Sequence, residues 1–184
     1  MPSPVLFGIS AAFGLVVWGA VAWHYIWPAL RERPTPENLK PILLLHGFRF
    51  LGLAFLVPGV VSPDLPAAFA QPVAYGDFIT AILALLALAM LGTRSGAVLN
   101  WIFNIFGTAD LLFAFYQGLI GVGFEPGQLG AAFFIPTVVV PLLLITHGLV
   151  FRLLLRGDGV AAARDGWRTA GPGAAPDRGG LVGL

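Results

Sequence analysis

The sequence predicts an all-α polytopic membrane protein, a bundle of five transmembrane helices with the N-terminus outside and the C-terminus in the cytoplasm. Of its 184 residues, 58% are hydrophobic and only 10% are charged, whereas soluble domains carry about 25% charged residues. Five apolar segments approach or exceed the roughly 20 residues that cross a hydrocarbon core. Basic residues flank these segments on one side only. The lipid bilayer is therefore the expected surrounding of this chain.

The first two helices are separated by a short polar run. The first is predicted over 4–30 and ends at charged residues and prolines in 31–36. The second is predicted over 38–61, and a proline-rich connection, 62–75, follows it. Because the segment 65–70 within this connection is apolar, we expect it to lie at the membrane interface as a short helix.

The remaining three helices are predicted over 76–91, 97–122 and 129–155. Two prolines inside the last of them are expected to kink it. The segment 157–184 is rich in Gly, Ala, Pro, Arg and Asp and has few large apolar residues. Such a composition cannot bury enough apolar surface to order itself, so we predict a disordered cytoplasmic tail.

The distribution of basic residues predicts the orientation. They lie in the first connection, in the third connection and after the last helix, at Arg31, Arg33, Lys40, Arg94, Arg152, Arg156, Arg164 and Arg168. The second and fourth connections hold only Asp64 and Glu125. Since cytoplasmic loops carry the excess of Lys and Arg, both even-numbered connections are expected outside. The nine-to-one excess of Arg over Lys is typical of a GC-rich bacterial genome, which makes the inner (plasma) membrane the expected location.

Composition also excludes several kinds of function. The net charge of +1 and the lack of a Lys/Arg cluster give no surface for nucleic acid. The chain has no cysteine, which excludes disulfides, thiolate metal sites, iron–sulfur clusters and cysteine nucleophiles. Because the connections are too short for a soluble catalytic domain, any site is expected within the membrane or at its edge.

Four helices place a hydrogen-bonding side chain in one layer. His24, His46, Asn104 and His147 are predicted to lie about 9–12 Å from the cytoplasmic helix ends, at 1.5 Å per residue. Arg49 follows His46 at i+3, on nearly the same helical face and one turn deeper. Ionisable groups in a bilayer cost several kcal/mol unless they are paired or hydrated, so these side chains are expected to face the bundle interior.

The fourth helix has a small and polar face. Within an arc of about 140°, at 100° per residue, it carries Asn100, Asn104, Gly107, Asp110, Ala114, Gln117, Gly118 and Gly121. Bulky apolar residues are assigned to the opposite arc as an expectation, namely Trp101, Phe103, Leu112, Phe113 and Ile120. This pattern is typical of a helix packed inside a bundle. Asp110 is then near mid-membrane, where a carboxylate is neutral, bound to a cation or paired, and Arg49 is the predicted partner.

These residues predict a polar cavity near the cytoplasmic side that binds or passes a small solute or proton. Its lining is expected to be His46, Arg49, Asn104, Asp110 and His147. In this hypothesis Arg49 and Asp110 form a charge-switching pair, and the histidines are the proton-labile groups.

Two cofactor hypotheses remain open beside this one. His46 and His147 at matched depth could ligate a b-type haem, with Arg49 near a propionate, in a redox-complex membrane subunit. Alternatively, His24, His46 and His147 could hold a divalent metal in an intramembrane enzyme, with Asp110 as a base.

Structural roles are also open for several of these polar residues. The Arg49–Asp110 pair could simply fix helix packing, and Asn100 and Asn104 could make interhelical hydrogen bonds. Asp77 is expected at the outer start of the third helix, as a partner of the helix dipole. A homo-oligomer or a partner in a membrane complex is left open.

Overall fold

The computed structural model describes residues 3–34 and 36–169, with side chains as far as Arg156, and this part of the chain is all-helical. No strand forms within these residues, which contain only an isolated bridge between Pro58 and Val61. Five helices are long and apolar enough to cross a membrane: α1 (Ser3–Arg31), α2 (Glu37–Leu56), α3 (Ala67–Ala89), α4 (Arg94–Gly121) and α5 (Ile135–Arg156). The predicted all-α class and the count of five long apolar helices are confirmed.

The beginning of α3 corrects the sequence prediction. The helix starts at Ala67, directly after Pro66, so most of the predicted connection 62–75 and interfacial helix 65–70 belongs to α3. Pro72 lies inside the helix, where it removes a backbone hydrogen bond. Phe69 and Val73 on either side of it are buried, and burial of such side chains offsets the loss.

The second helix changes type along its length. Lys40–Gly47 is α-helical, and Phe48–Leu56 is a 3₁₀ helix of 9 residues, although such runs rarely exceed three or four residues. With three residues per turn, side chains at i, i+3 and i+6 align on one face. The buried residues of this segment are Arg49, Gly52 and Phe55. The 3₁₀ geometry therefore turns all three inward. The helix ends at Leu56 because Val57 is extended, with ψ 116°, before the predicted end at 61.

The last two helices also differ from their predicted limits. Thr93 caps α4, its hydroxyl accepting from the Gly96 amide at 2.9 Å, so the helix begins before the predicted residue 97. A 3₁₀ segment, Pro126–Phe133, precedes α5 and is broken at Gly130, where φ is 52°. This break delays the start of the spanning helix beyond the predicted residue 129. At its far end the α5 backbone stays α-helical to Thr169; the rest of the predicted tail, 170–184, lies outside the described residues.

The two ends of the bundle differ in charge. At one end, called here the acidic end, the Ser3 hydroxyl donates to Glu125 at 3.2 Å and the Gln128 amide donates to the Asp64 carbonyl at 3.2 Å. The opposite end, called the basic end, is formed by residues 31–34 and 36–40, residues 90–94 and the part of α5 near Arg156. There the guanidinium groups of Arg152 and Arg156 lie 4.0 and 4.8 Å from the Trp27 ring centre.

The first helix lies at the periphery of the bundle. It packs on α5, where Trp18 Nε1 donates to the Val138 carbonyl at 3.0 Å and a Cβ on Gly14 would meet the Pro141 ring at 3.2 Å. It is the least buried of the five helices. The core between α2, α3, α4 and α5 therefore contains most of the buried polar side chains.

Candidate functional site

Arg49 is the centre of the buried polar site. Its fully buried side chain donates from Nε to Asp77 Oδ1 at 2.7 Å and from Nη2 to Asp110 Oδ2 at 2.6 Å. Nη1 donates to the Gly107 carbonyl at 3.1 Å. Nη2 also lies 2.6 Å from Asp77 Oδ1. One guanidinium on α2 thus joins a carboxylate on α3 to a carboxylate and a backbone carbonyl on α4.

His147 of α5 completes the contacts of this guanidinium. Arg49 Nη1 lies 3.2 Å from His147 Nε2. A guanidinium nitrogen only donates, so Nε2 accepts and the imidazole is neutral with its hydrogen on Nδ1. That hydrogen is donated to Asn104 Oδ1, 2.7 Å away. The arginine thereby fixes both the tautomer of His147 and the orientation of the Asn104 amide.

His46 is neutral as well, because its Nδ1 is buried without a hydrogen-bond partner among the described residues, and an imidazolium would leave a charged donor unpaired there. Its Nε2 lies 2.9 Å from Thr146 Oγ1, and the Thr146 hydroxyl hydrogen is directed to the carbonyls of Leu142 and Leu143 at 2.9 and 3.0 Å. The oxygen therefore accepts from His46 Nε2–H. The ring centres of His46 and His147 are 4.3 Å apart, so the two imidazoles are in direct contact.

Charges in this site do not balance. Two carboxyl groups, Asp77 and Asp110, face one guanidinium, and both histidines that contact each other beside it are neutral. If both carboxyl groups were ionised, the site would carry one uncompensated negative charge. Such a charge is costly in a buried setting.

Three glycines give the polar side chains their space. A Cβ on Gly52 of α2 would collide with Asp77, and one on Gly76 of α3 would collide with Asp110. A Cβ on Gly107 of α4 would lie 2.7 Å from the His147 ring. Real Cβ atoms essentially never come so close. The helices can therefore approach closely around the site only because these positions lack side chains.

A cavity of about 40 Å³ adjoins the carboxylates on the acidic-end side. Asp77 and Asp110 are the charged residues of its wall, and the remainder is mainly aromatic and aliphatic, including Phe7, Phe55, Phe69, Leu111 and Phe124. The Asp110 side chain is 10% exposed, compared with 0% for Arg49. Since one water needs about 10–15 Å³ of such space, the cavity can hold water or a small ion against Asp110.

The structure brings together five of the six predicted site residues: His46, Arg49, Asn104, Asp110 and His147. His24 does not join them. It is exposed on peripheral α1, so the three histidines do not converge. Among the described residues, no three His, Cys, Asp or Glu side chains are grouped to hold a metal ion.

Two expectations about neighbouring residues are wrong. Asp77 lies inside α3 and is 4% exposed, so it is an ion-pair partner of Arg49 and does not start the helix. Phe103 was assigned to the arc of bulky residues, but at 100° per residue it lies within the small and polar arc, and it is fully buried with its ring centre 5.0 and 5.3 Å from those of His46 and His147. Thr146, which contacts His46, was not among the predicted site residues. Extending the third helix back to Pro66 would have placed Asp77 mid-helix.

The fold and this site together define a class: an all-helical bundle with five potential membrane-spanning helices around a buried arginine–carboxylate–histidine network. The chain belongs to a family described as a domain of unknown function, DUF8737, which it matches over residues 6–155. No curated protein and no solved structure matches it. The match extends from α1 through nearly all of α5 and so includes the whole site.

Proposed function

We propose that this protein is a multi-pass protein of the bacterial inner membrane, with the acidic end outside and the basic end in the cytoplasm. The positive-inside rule supports this orientation. The membrane location is supported by the large exposed side chains along the helices, which are apolar around the bundle, for example Phe13, Val98, Leu119 and Phe134. A lipid environment would cover such a surface.

Within this bundle, we propose that the site around Arg49 binds or passes a proton or a small cation. The observation that carries the proposal is the pairing of one buried guanidinium with two carboxyl groups. One proton or one monovalent cation restores neutrality. Asp110 is the group that holds it, because it contacts one guanidinium nitrogen whereas Asp77 contacts two. Both carboxyl groups line the acidic-end cavity, but the Asp110 side chain is more exposed there, 10% against 5%.

The network couples this proton to the arrangement of Arg49. A protonated Asp110 loses its ionic attraction to the guanidinium. Protonation of His147 at Nε2 would replace the acceptor for Arg49 Nη1 with a second donor, so it excludes the Arg49–His147 hydrogen bond. Loading either group therefore changes the contacts available to Arg49, which supports a role as a charge-switching residue.

The geometry favours this reading over the two cofactor hypotheses. A porphyrin bound between His46 and His147 needs room for the iron between the two imidazoles, but their ring centres are 4.3 Å apart. The three-histidine metal hypothesis requires His24, which lies exposed on α1. A Soret band from protein purified in detergent would favour the haem hypothesis instead.

Reconstitution into vesicles tests proton passage. Proteoliposomes with a trapped pH-sensitive dye and an imposed potential should acidify faster than protein-free vesicles. Asp110→Asn should abolish the excess flux. Asp64→Asn is the matched control, because Asp64 is exposed in the connection at the acidic end and its loss should leave the flux unchanged. Equal flux through wild-type and Asp110→Asn protein would contradict the proposal.

A further inference from the structure

A second cavity, of about 230 Å³, lies at the basic end of the bundle. It is bounded by the start of α2, the connection between α3 and α4, and α5. Its wall includes Pro36, Asn38, Gly92, Asn100 and Leu153. This is the opposite end of the bundle from the cavity beside Asp110, so the polar site lies between two cavities.

Asn100 presents an unpaired acceptor at this cavity. The residue is 2% exposed, and its Nδ2 donates to the Gly96 carbonyl at 2.7 Å. Because a carbonyl only accepts, this hydrogen bond fixes which end of the amide is nitrogen. The other end, Oδ1, is buried and has no hydrogen-bond partner among the described residues.

Asn104 presents the complementary group one helical turn further in. Its Oδ1 accepts from His147 Nδ1, and the tautomer imposed by Arg49 fixes this orientation as well. Its Nδ2, a donor, is buried without a hydrogen-bond partner in the part of the chain that the structure describes. Two buried amides on one helix thus leave one acceptor and one donor unpaired.

The spacing of the two amides suits a bridging water. Residues four apart on an α-helix lie on one face, about 6 Å apart along the axis. A water between the two amides would donate to Asn100 Oδ1 and accept from Asn104 Nδ2. Leaving a buried polar group unpaired costs about 1–3 kcal/mol, and buried waters commonly satisfy such groups.

We propose that the basic-end cavity is the aqueous entrance to the site, and that Asn100 and Asn104 conduct water from it to His147. The ligand of this entrance is water together with the protons it carries. Only the proton-delivering role rests on the proposed function; the entrance of water can be tested without it.

Cysteine accessibility tests the entrance, since the chain has no cysteine of its own. In vesicles whose basic end is exposed to the medium, Asn100→Cys and Asn104→Cys should react with a small charged methanethiosulfonate. The matched control is Ile102→Cys, which lies between them on α4 but is 46% exposed on the outer surface. It should react at least about tenfold more slowly, because thiolates do not form in lipid.

Two substitutions of Asn100, each combined with Asn104→Cys, should have different effects on the rate of labelling. Adding Asn100→Leu to Asn104→Cys should slow its labelling, because an apolar side chain replaces the water-binding amide. Adding Asn100→Ala should keep or accelerate it, because the route widens. Equal labelling of Asn104→Cys and Ile102→Cys, or undiminished labelling of Asn104→Cys after Asn100→Leu is added in protein that stays monodisperse, would overturn the proposal. Labelling without any proton flux would instead refute the proposed function and leave the entrance intact.

Discussion

Arg49 on α2 donates to Asp110 on α4 at 2.6 Å, but the same guanidinium also binds Asp77 on α3 through two of its nitrogens. The contact between Arg49 and Asp110 is therefore one side of a triad, not an isolated ion pair. In a triad with surplus negative charge, the three members are not equivalent, and their substitutions should have unequal effects.

The first prediction compares the cation with one of its carboxyl partners. Arg49→Met leaves two buried carboxyl groups without their cation and should lower the free energy of unfolding by about 3–5 kcal/mol. Asp110→Asn keeps Arg49 paired with Asp77 and should cost about 1 kcal/mol or less. Thermal unfolding in detergent measures both. A larger loss for Asp110→Asn than for Arg49→Met would contradict the surplus of negative charge.

The second prediction concerns the glycines that admit the site. Gly107→Ala places a methyl group 2.7 Å from the His147 ring and from Thr80, so it should destabilise the fold by about 1–3 kcal/mol. Gly148→Ala is the control, since nothing lies within 4 Å of its added Cβ. It should be neutral or stabilise α5 by up to about 1 kcal/mol. Comparable melting temperatures for the two variants would show that Gly107 is not needed for close packing.

The third prediction tests which face of α4 meets lipid. Phe113 is 46% exposed, whereas Asp110 is directed toward Arg49. A nitroxide attached at Phe113→Cys should be strongly relaxed by lipid-soluble oxygen, and one attached at Asp110→Cys only weakly. Similar relaxation at both positions would place Asp110 outside the bundle interior.

The fourth prediction concerns orientation. Reporter fusions directly after Arg156 should be active in the cytoplasm, because the basic end is expected there. Fusions in the connection between α2 and α3, around Asp64, should be active only outside. The reverse pattern would invert the proposed topology.

Apolar length and the distribution of charge predicted the helical class and the five long helices. Helix limits were less predictable near proline. Pro66 and Pro72 suggested that this segment is a connection. In the structure Ala67 is the first helical residue, directly after Pro66, and α3 continues through Pro72. Because of that error, the sequence placed Asp77 at a helix end, where no partner for Arg49 was expected.

The depth of each polar residue along its helix could be predicted, but whether residues on different helices face one another could not. His46 and His147 were assigned the same depth as His24, yet only the first two meet, because α1 packs outside the other four helices. Phe103 was assigned to the wrong arc of α4: at 100° per residue it lies about 60° from Asn100, within the polar arc, and it is buried.

The measurement that tests the central claim most directly is infrared spectroscopy of the carboxyl groups. In buffer near neutral pH without small metal cations, wild-type protein should show the carbonyl stretch of a protonated carboxyl group. This band should shift in D₂O, disappear in Asp110→Asn and remain in Asp64→Asn. Loss of the band in Asp110→Asn alone would place the compensating proton on Asp110. A wild-type spectrum without such a band, or a band that persists in Asp110→Asn, would contradict the claim that Asp110 holds this proton.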